Sequence, residues 1–347
     1  MYFLMILIFL NCFTAQAIPA EVNRHTMDNL INNYIIPAHI ALSESAHNVY
    51  TQVNKCSYND GGSLHGSREA FNNLVRSWAA VEWFNIGPVM RNNRKERFFL
   101  FPDRKNKGLY RVRRAIQERD RELLDVETLQ RKSVDLQGLR ALEYLLFSNV
   151  NNTIPDNVFV CSFAISISKN LTKIADAMLY EWQNDSHLID LTGVTKASPK
   201  DDIHTVLGII IRGLEDLHNV RIRSFLRDTA THDRPYSAPF NLSKNTIFSI
   251  YEAVQSIEVI FSIINIGKIL PEKSQYIEDN IRFDLSQIIM RLSSLQGIAV
   301  EEILGNAERR RQLVHIQLNI RFLMKSISDD LYGALGFAAG FSFVDGD

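Results

Sequence analysis

The chain reads as all-α, with two helical-bundle domains packed together around a cleft. Three observations predict this. Apolar residues recur at three- and four-residue steps, as at Leu136, Leu139, Leu142, Leu145 and Leu146, and again at Ile203, Leu207, Ile210, Leu214 and Leu217. No run of alternating β-branched residues bounded by hairpin turns stands out. At 347 residues, 46% of them hydrophobic, the chain is long enough to bury a sizeable core and to divide into two domains.

Taken in order, Met1 to Thr14 is uncharged and almost continuously apolar, and Ala15-Gln16-Ala17 follows as a small-x-small cleavage pattern. Residues 1–17 therefore read as a secretory signal peptide, too short for a stable span. A positive n-region is missing, so retention as an anchor is the alternative. The apolar period then places helices at about 22–55, 67–92, 108–119, 135–148, 157–184, 199–227, 241–267, 274–297 and 306–340. Pro37 is expected to kink the first, Gly87-Pro88 to bend or end the second, and Pro271 to separate two late helices.

The stretch from Asn184 to Pro199 breaks the period, and Ser198 before Pro199 has the form of an N-cap with proline at the first helical position. It divides the mature chain into an N-terminal bundle, 18–190, and a C-terminal bundle, 191–347. Two irregular stretches are candidate functional loops, Asn93 to Asn106 and His232 to Asn241, with Asn241 or Ser243 opening the next helix.

Lys plus Arg number 38 against 39 Asp plus Glu, a formal net charge of -1, so no bulk attraction to nucleic acid is implied. The clusters Arg111-Val-Arg113-Arg114 and Arg309-Arg310-Arg311 read as solvated helix faces pairing with acids such as Glu118 and Glu308. Without the signal peptide two cysteines remain, Cys56 and Cys161. Export and an even count favour a disulfide, and two buried thiols are the alternative. Histidines are scattered: there is no H-E-x-x-H, and His204 and His218 lie about 21 Å apart by helical rise. No G-x-S-x-G elbow or phosphate-cradling glycine loop occurs.

Chemistry concentrates in four blocks. Gly138-Leu-Arg140-Ala-Leu-Glu143 sits in a leucine-striped helix; a glycine in a helix interior costs about 1 kcal/mol relative to alanine, which points to close approach by another backbone or a ligand. Trp78-Ala-Ala-Val-Glu-Trp83 runs into Gly87-Pro88. Arg97-Phe-Phe-Leu-Phe101-Pro102-Asp103 sets an aromatic cluster before a polar loop, either a cleft wall or a plug between helices. The chain ends Gly340-Phe-Ser-Phe-Val-Asp345-Gly346-Asp347, a docked or a solvated acidic tail.

In order and spacing these blocks resemble the imelysin family, bacterial cell-envelope proteins whose motif helix reads G-x-H-x-x-E; here Arg140 stands where the family carries histidine. The resemblance runs from about Tyr34 to the last residue. It implies the two-bundle fold and an exported protein of the periplasm or cell envelope, without an integral span once the signal is cleaved. It also implies iron or haem as a bound ligand, with partners among the envelope proteins of an iron-uptake system. The peptidase activity attached to the family name would use Glu143 as metal ligand or base, but a guanidinium has no lone pair to give a metal. The leading expectation is therefore a non-catalytic binding protein; a metallopeptidase-like enzyme and a protein-interaction module are the alternatives. The cleft is expected to gather Gly138, Arg140, Glu143, Arg97, Asp103, Asp345 and Asp347, with Trp78 and Phe101 as its apolar wall.

Overall fold

The computed structural model describes residues 26, 28–55, 61–103, 107–148, 157–184 and 199–337. These residues form helices and connecting turns, with no strand among them. The long helices are α1 (Ile36–Val53), α2 (Gly61–Glu82), α3 (Lys107–Glu118), α4 (Leu139–Phe147), α5 (Asn157–Asn184), α6 (Pro199–Glu215), α7 (Thr246–Ile264), α8 (Tyr276–Ser293) and α9 (Ala307–Lys325). They fall where the apolar period places them, with three kinds of departure.

First, three of the expected single helices contain a π-helical turn: Ile31–Ile35 before α1, Asp216–Ile222 after α6, and Ser326–Leu331 after α9. The backbone runs helically from the π turn straight into α1, and Pro37 lies directly after that turn, so the distortion of the first helix falls in the turn before the proline. Second, the helix expected over 67–92 starts earlier and ends at Glu82, with Gly87 at φ 65° opening a separate 3₁₀ turn. Third, the helix expected over 241–267 starts at Thr246, because Phe240 and Lys244 adopt left-handed φ values of 53° and 59°. Neither Asn241 nor Ser243 opens it.

Burial divides the side chains into two clusters. One gathers residues between Leu42 and Met178, including Phe71, Trp78, Phe98, Leu139, Leu142 and Phe163, together with Phe240. The other gathers residues between Ile203 and Leu335, together with Leu30, Ile35, Trp83, Phe84 and Trp182. α1 packs on α2 and α5, α8 packs on α7 and α9, and α2 packs on α7, so the α2–α7 contact joins the halves. α5 and α7 are long and apolar enough to cross a membrane by length and composition, but 72% and 56% of their apolar windows are buried inside the fold.

Trp83 is fixed in the second cluster by two features. Its indole N–H donates to Ser256 Oγ at 2.6 Å, and Gly213 on α6 leaves room for its ring, since a Cβ at that glycine would lie 2.5 Å from the indole. The arginine clusters behave as expected of helix faces in part: Arg114 pairs with Glu118 and Arg311 with Glu308, both exposed. Arg111 and Arg310 instead reach less exposed carboxylates, Asp135 and Asp233.

Candidate functional site

Gly138 is the N-cap of α4, not a position inside the helix. Its backbone is extended (φ -112°, ψ -171°), and a preceding 3₁₀ turn over Val134–Leu136 replaces the expected start of a continuous 135–148 helix. The close approach is real: a Cβ at Gly138 would lie 2.5 Å from the Phe98 carbonyl oxygen and 2.8 Å from that of Arg97. The requirement for glycine is therefore steric, and it ties the start of α4 to the Arg97–Asp103 segment.

Arg140 and Glu143, one helical turn apart on α4, have different partners. Glu143 is buried, and its Oε1 accepts two hydrogen bonds from Ser243, from the backbone N–H at 2.9 Å and from the hydroxyl at 2.7 Å. Burial pushes its carboxyl above the usual carboxylate range; the Ser243 hydrogen bonds and the Arg140 charge oppose this without reversing it. Arg140 faces Asp103, Nε to Oδ2 at 3.5 Å, an ion-pair distance without a hydrogen bond, and its buried Nε has no hydrogen-bond partner. Burial pulls its guanidinium below the usual arginine range against the pull of Asp103 and Glu143. The Asp103 side chain is buried and accepts the N–H groups of Gly108 (3.1 Å) and Leu109 (3.2 Å), which caps α3.

The aromatic segment extends the site toward the second half of the chain. Phe99 stacks on Phe240 at 4.2 Å between centroids and on Phe101 at 5.8 Å. The Arg221 guanidinium lies 5.1 Å from each of the Phe99 and Phe101 rings. Arg221 belongs to the π turn after α6 and donates to Glu82 Oε2 at 2.7 Å and to Asp216 Oδ2 at 3.3 Å. Both members of the Arg221–Glu82 pair are buried. Burial raises the Glu82 carboxyl, with Arg221 as its strongest opposing charge.

Of the residues expected in one cleft, Arg140, Glu143 and Asp103 are brought together, and Gly138 supports them through its backbone contact. Phe101 lies beside Arg221 rather than Arg140 among the described contacts. Trp78 is fully buried and stacks on Phe98 at 4.3 Å, so it is core rather than an exposed wall. Arg97 donates to Gln137 Oε1 at 3.1 Å. Asp345 and Asp347 lie outside the described residues, as does Cys56; Cys161 is buried. Sequence reading missed Ser243, Glu82, Arg221 and Phe240. For Glu82 a signal existed, since it sits four residues after Trp78 on the same buried face of α2.

The donor set around α4 does not suit a metal. Glu143 Oε1 already accepts from Ser243, Arg140 one turn away is a cation, and no group of three His, Cys, Asp or Glu side chains gathers among the described residues. Its geometry suits holding a segment and presenting a positive charge.

The Glu143–Ser243 contact has a measurable consequence. Glu143→Ala leaves two Ser243 donors without their acceptor and should lower stability by about 2–4 kcal/mol, whereas Glu143→Gln keeps an acceptor and should cost less than about 1 kcal/mol. Because the folded carboxyl titrates above its unfolded value, its contribution is fully present below the unfolded pKa of about 4.3 and is lost as pH rises through the folded value. Urea denaturation from about pH 4 to neutrality should therefore show the advantage of wild type over the Gln variant shrinking. A constant difference would contradict the raised carboxyl.

A family model, Imelysin (peptidase M75), matches residues 35–326. Among solved structures, an imelysin-like protein from Psychrobacter arcticum superposes with a TM-score of 0.78 at 17% identity, covering 94% of this chain and 99% of that one. A protein named as an iron-regulated protein A precursor from Parabacteroides distasonis superposes with a TM-score of 0.70 at 13% identity, covering 90% and 96%. No curated protein matches. With most of its length under the family model and the same helical fold as these structures, the chain belongs to the imelysin family.

Proposed function

We propose that this chain is an exported, non-catalytic imelysin-like protein in which α4 presents Arg140 to an anionic ligand linked to iron or haem uptake in the cell envelope. Arg140 is the observation that carries the reading. It is mostly buried, holds one carboxylate at ion-pair distance, and keeps its Nε donor unspent, while its neighbour Glu143 is committed to Ser243. A guanidinium with donors to spare grips carboxylate groups, such as a haem propionate or a chelated ferric complex, better than a bare cation. The iron-regulated name of the Parabacteroides distasonis neighbour supports the link to iron. Residues 1–17 as a cleaved signal peptide, a periplasmic or envelope location, division into bundles over 18–190 and 191–347, and envelope partner proteins complete the proposal. A Cys56–Cys161 disulfide belongs to it too, and alkylation under non-reducing conditions should find no free thiol in the mature protein.

Equilibrium titration with haem and with ferric citrate tests the reading. Saturable binding that weakens at least tenfold in Arg140→Ala is expected, the loss of one charge-assisted contact. Binding untouched by that substitution would place the ligand elsewhere. The second reading, a metallopeptidase, is favoured by the family matched and by the buried carboxyl of Glu143 with its raised proton affinity. Chelator-sensitive peptide cleavage that disappears in Glu143→Ala would establish it in place of the first.

A further inference from the structure

A second polar site lies in the loop between the π turn and α7. Arg227, Thr231, His232, Asp233 and Arg234 line an open surface cavity of about 430 Å³. The loop is held in shape by its own chemistry. Arg310 on α9 donates to both oxygens of Asp233, at 2.7 and 3.2 Å, and to the Arg227 carbonyl at 2.8 Å. Asp233 also accepts the Arg227 backbone N–H at 2.7 Å, and the Arg234 N–H donates to the Phe225 carbonyl at 2.8 Å. The single carboxylate in the lining is thus spoken for by a residue beneath it.

The charges left over are positive. Asp233 offsets one of the three guanidinium groups of Arg227, Arg234 and Arg310. Neither Arg227 nor Arg234 has a carboxylate at ion-pair distance among the described residues, and the next acid along the loop, the exposed Asp228, faces Arg223 at 3.7 Å. The Arg227 Nε is buried without a hydrogen-bond partner, and its Nη2 donates a long hydrogen bond, 3.4 Å, to the Ser224 carbonyl. Thr229 links to His232 Nδ1 at 3.0 Å and to the Thr231 hydroxyl at 3.2 Å, which fixes two further hydrogen-bonding side chains beside the arginines. A rigid concave wall with two unneutralised guanidinium groups, an imidazole and a hydroxyl is built for a small oxyanion.

We infer that this cavity is a binding site for a small phosphate- or carboxylate-bearing anion, separate from the Arg140 site and independent of the function proposed for it. Isothermal titration of the full chain with sodium phosphate and with citrate, at constant ionic strength set by chloride, tests it and tells the two chemistries apart. Saturable binding of either anion is expected. It should weaken about tenfold or more in Arg234→Ala, whose side chain is exposed and makes no ion pair among the described residues, and stay unchanged in Arg321→Ala, an exposed arginine elsewhere on α9. Thermal melts of both variants should match wild type, which separates lost binding from lost folding. Absence of saturable binding for both anions, or equal weakening in the two variants, overturns the inference.

Discussion

Arg221→Ala should lower stability by about 3–5 kcal/mol, because it leaves Glu82 buried with its charge uncompensated. In a thermal melt that amounts to a fall on the order of 10 °C. The guanidinium also packs against both Phe99 and Phe101, so truncation removes contacts on the segment that carries Asp103. The double variant Glu82→Gln/Arg221→Met removes both charges and should recover at least half of the loss, since a buried ion pair is stabilising chiefly by comparison with a broken one. A loss under about 0.5 kcal/mol in the single variant would mean that the pair is hydrated in solution.

Gly138→Ala should cost about 2–3 kcal/mol through overpacking, because the added methyl would meet the Phe98 and Arg97 carbonyl oxygens rather than a side chain that can swing away. The backbone angles at Gly138 suit any residue, so torsional strain adds nothing and the whole effect is steric. Gly333→Ala is the control: a Cβ there meets nothing within 4 Å, and in a helical turn alanine should be neutral or stabilising. If both substitutions are tolerated equally in chemical denaturation, the carbonyl contact is not what holds α4 against the Arg97–Asp103 segment.

These two sites also show what a sequence can and cannot reveal. Helix positions were legible because burial of one face sets the 3.6-residue period, and α3 and α5 lie close to their expected places. The π turns were not, since one extra residue in a turn leaves the apolar pattern on either side intact. Gly138 was legible as a point of close approach, yet its placement inside the helix was wrong because the Phe98 carbonyl, distant in sequence, decides where α4 begins. Ser243 has the composition of an N-cap, but its hydroxyl and N–H go to Glu143, 100 residues away, and the helix waits until Asn245, whose own side chain donates to Asn72 at 2.6 Å. The Glu82–Arg221 pair spans 139 residues; the spacing of Glu82 from Trp78 marks its side of α2 as buried, but nothing local names Arg221 as its partner. Local rules fail here where a tertiary partner outcompetes a local one.

A paired titration tests whether Arg140 turns the α4 site toward an anion rather than a bare metal ion, as proposed. Purified, chelator-treated protein is titrated with ferric citrate and haem in one series and with zinc chloride in the other, using wild type, Arg140→Ala and Glu143→Gln. The prediction is saturable binding of an anionic iron complex that depends on Arg140, with no zinc binding that depends on Glu143. Tight zinc binding lost in Glu143→Gln, with neither iron complex bound, would contradict it.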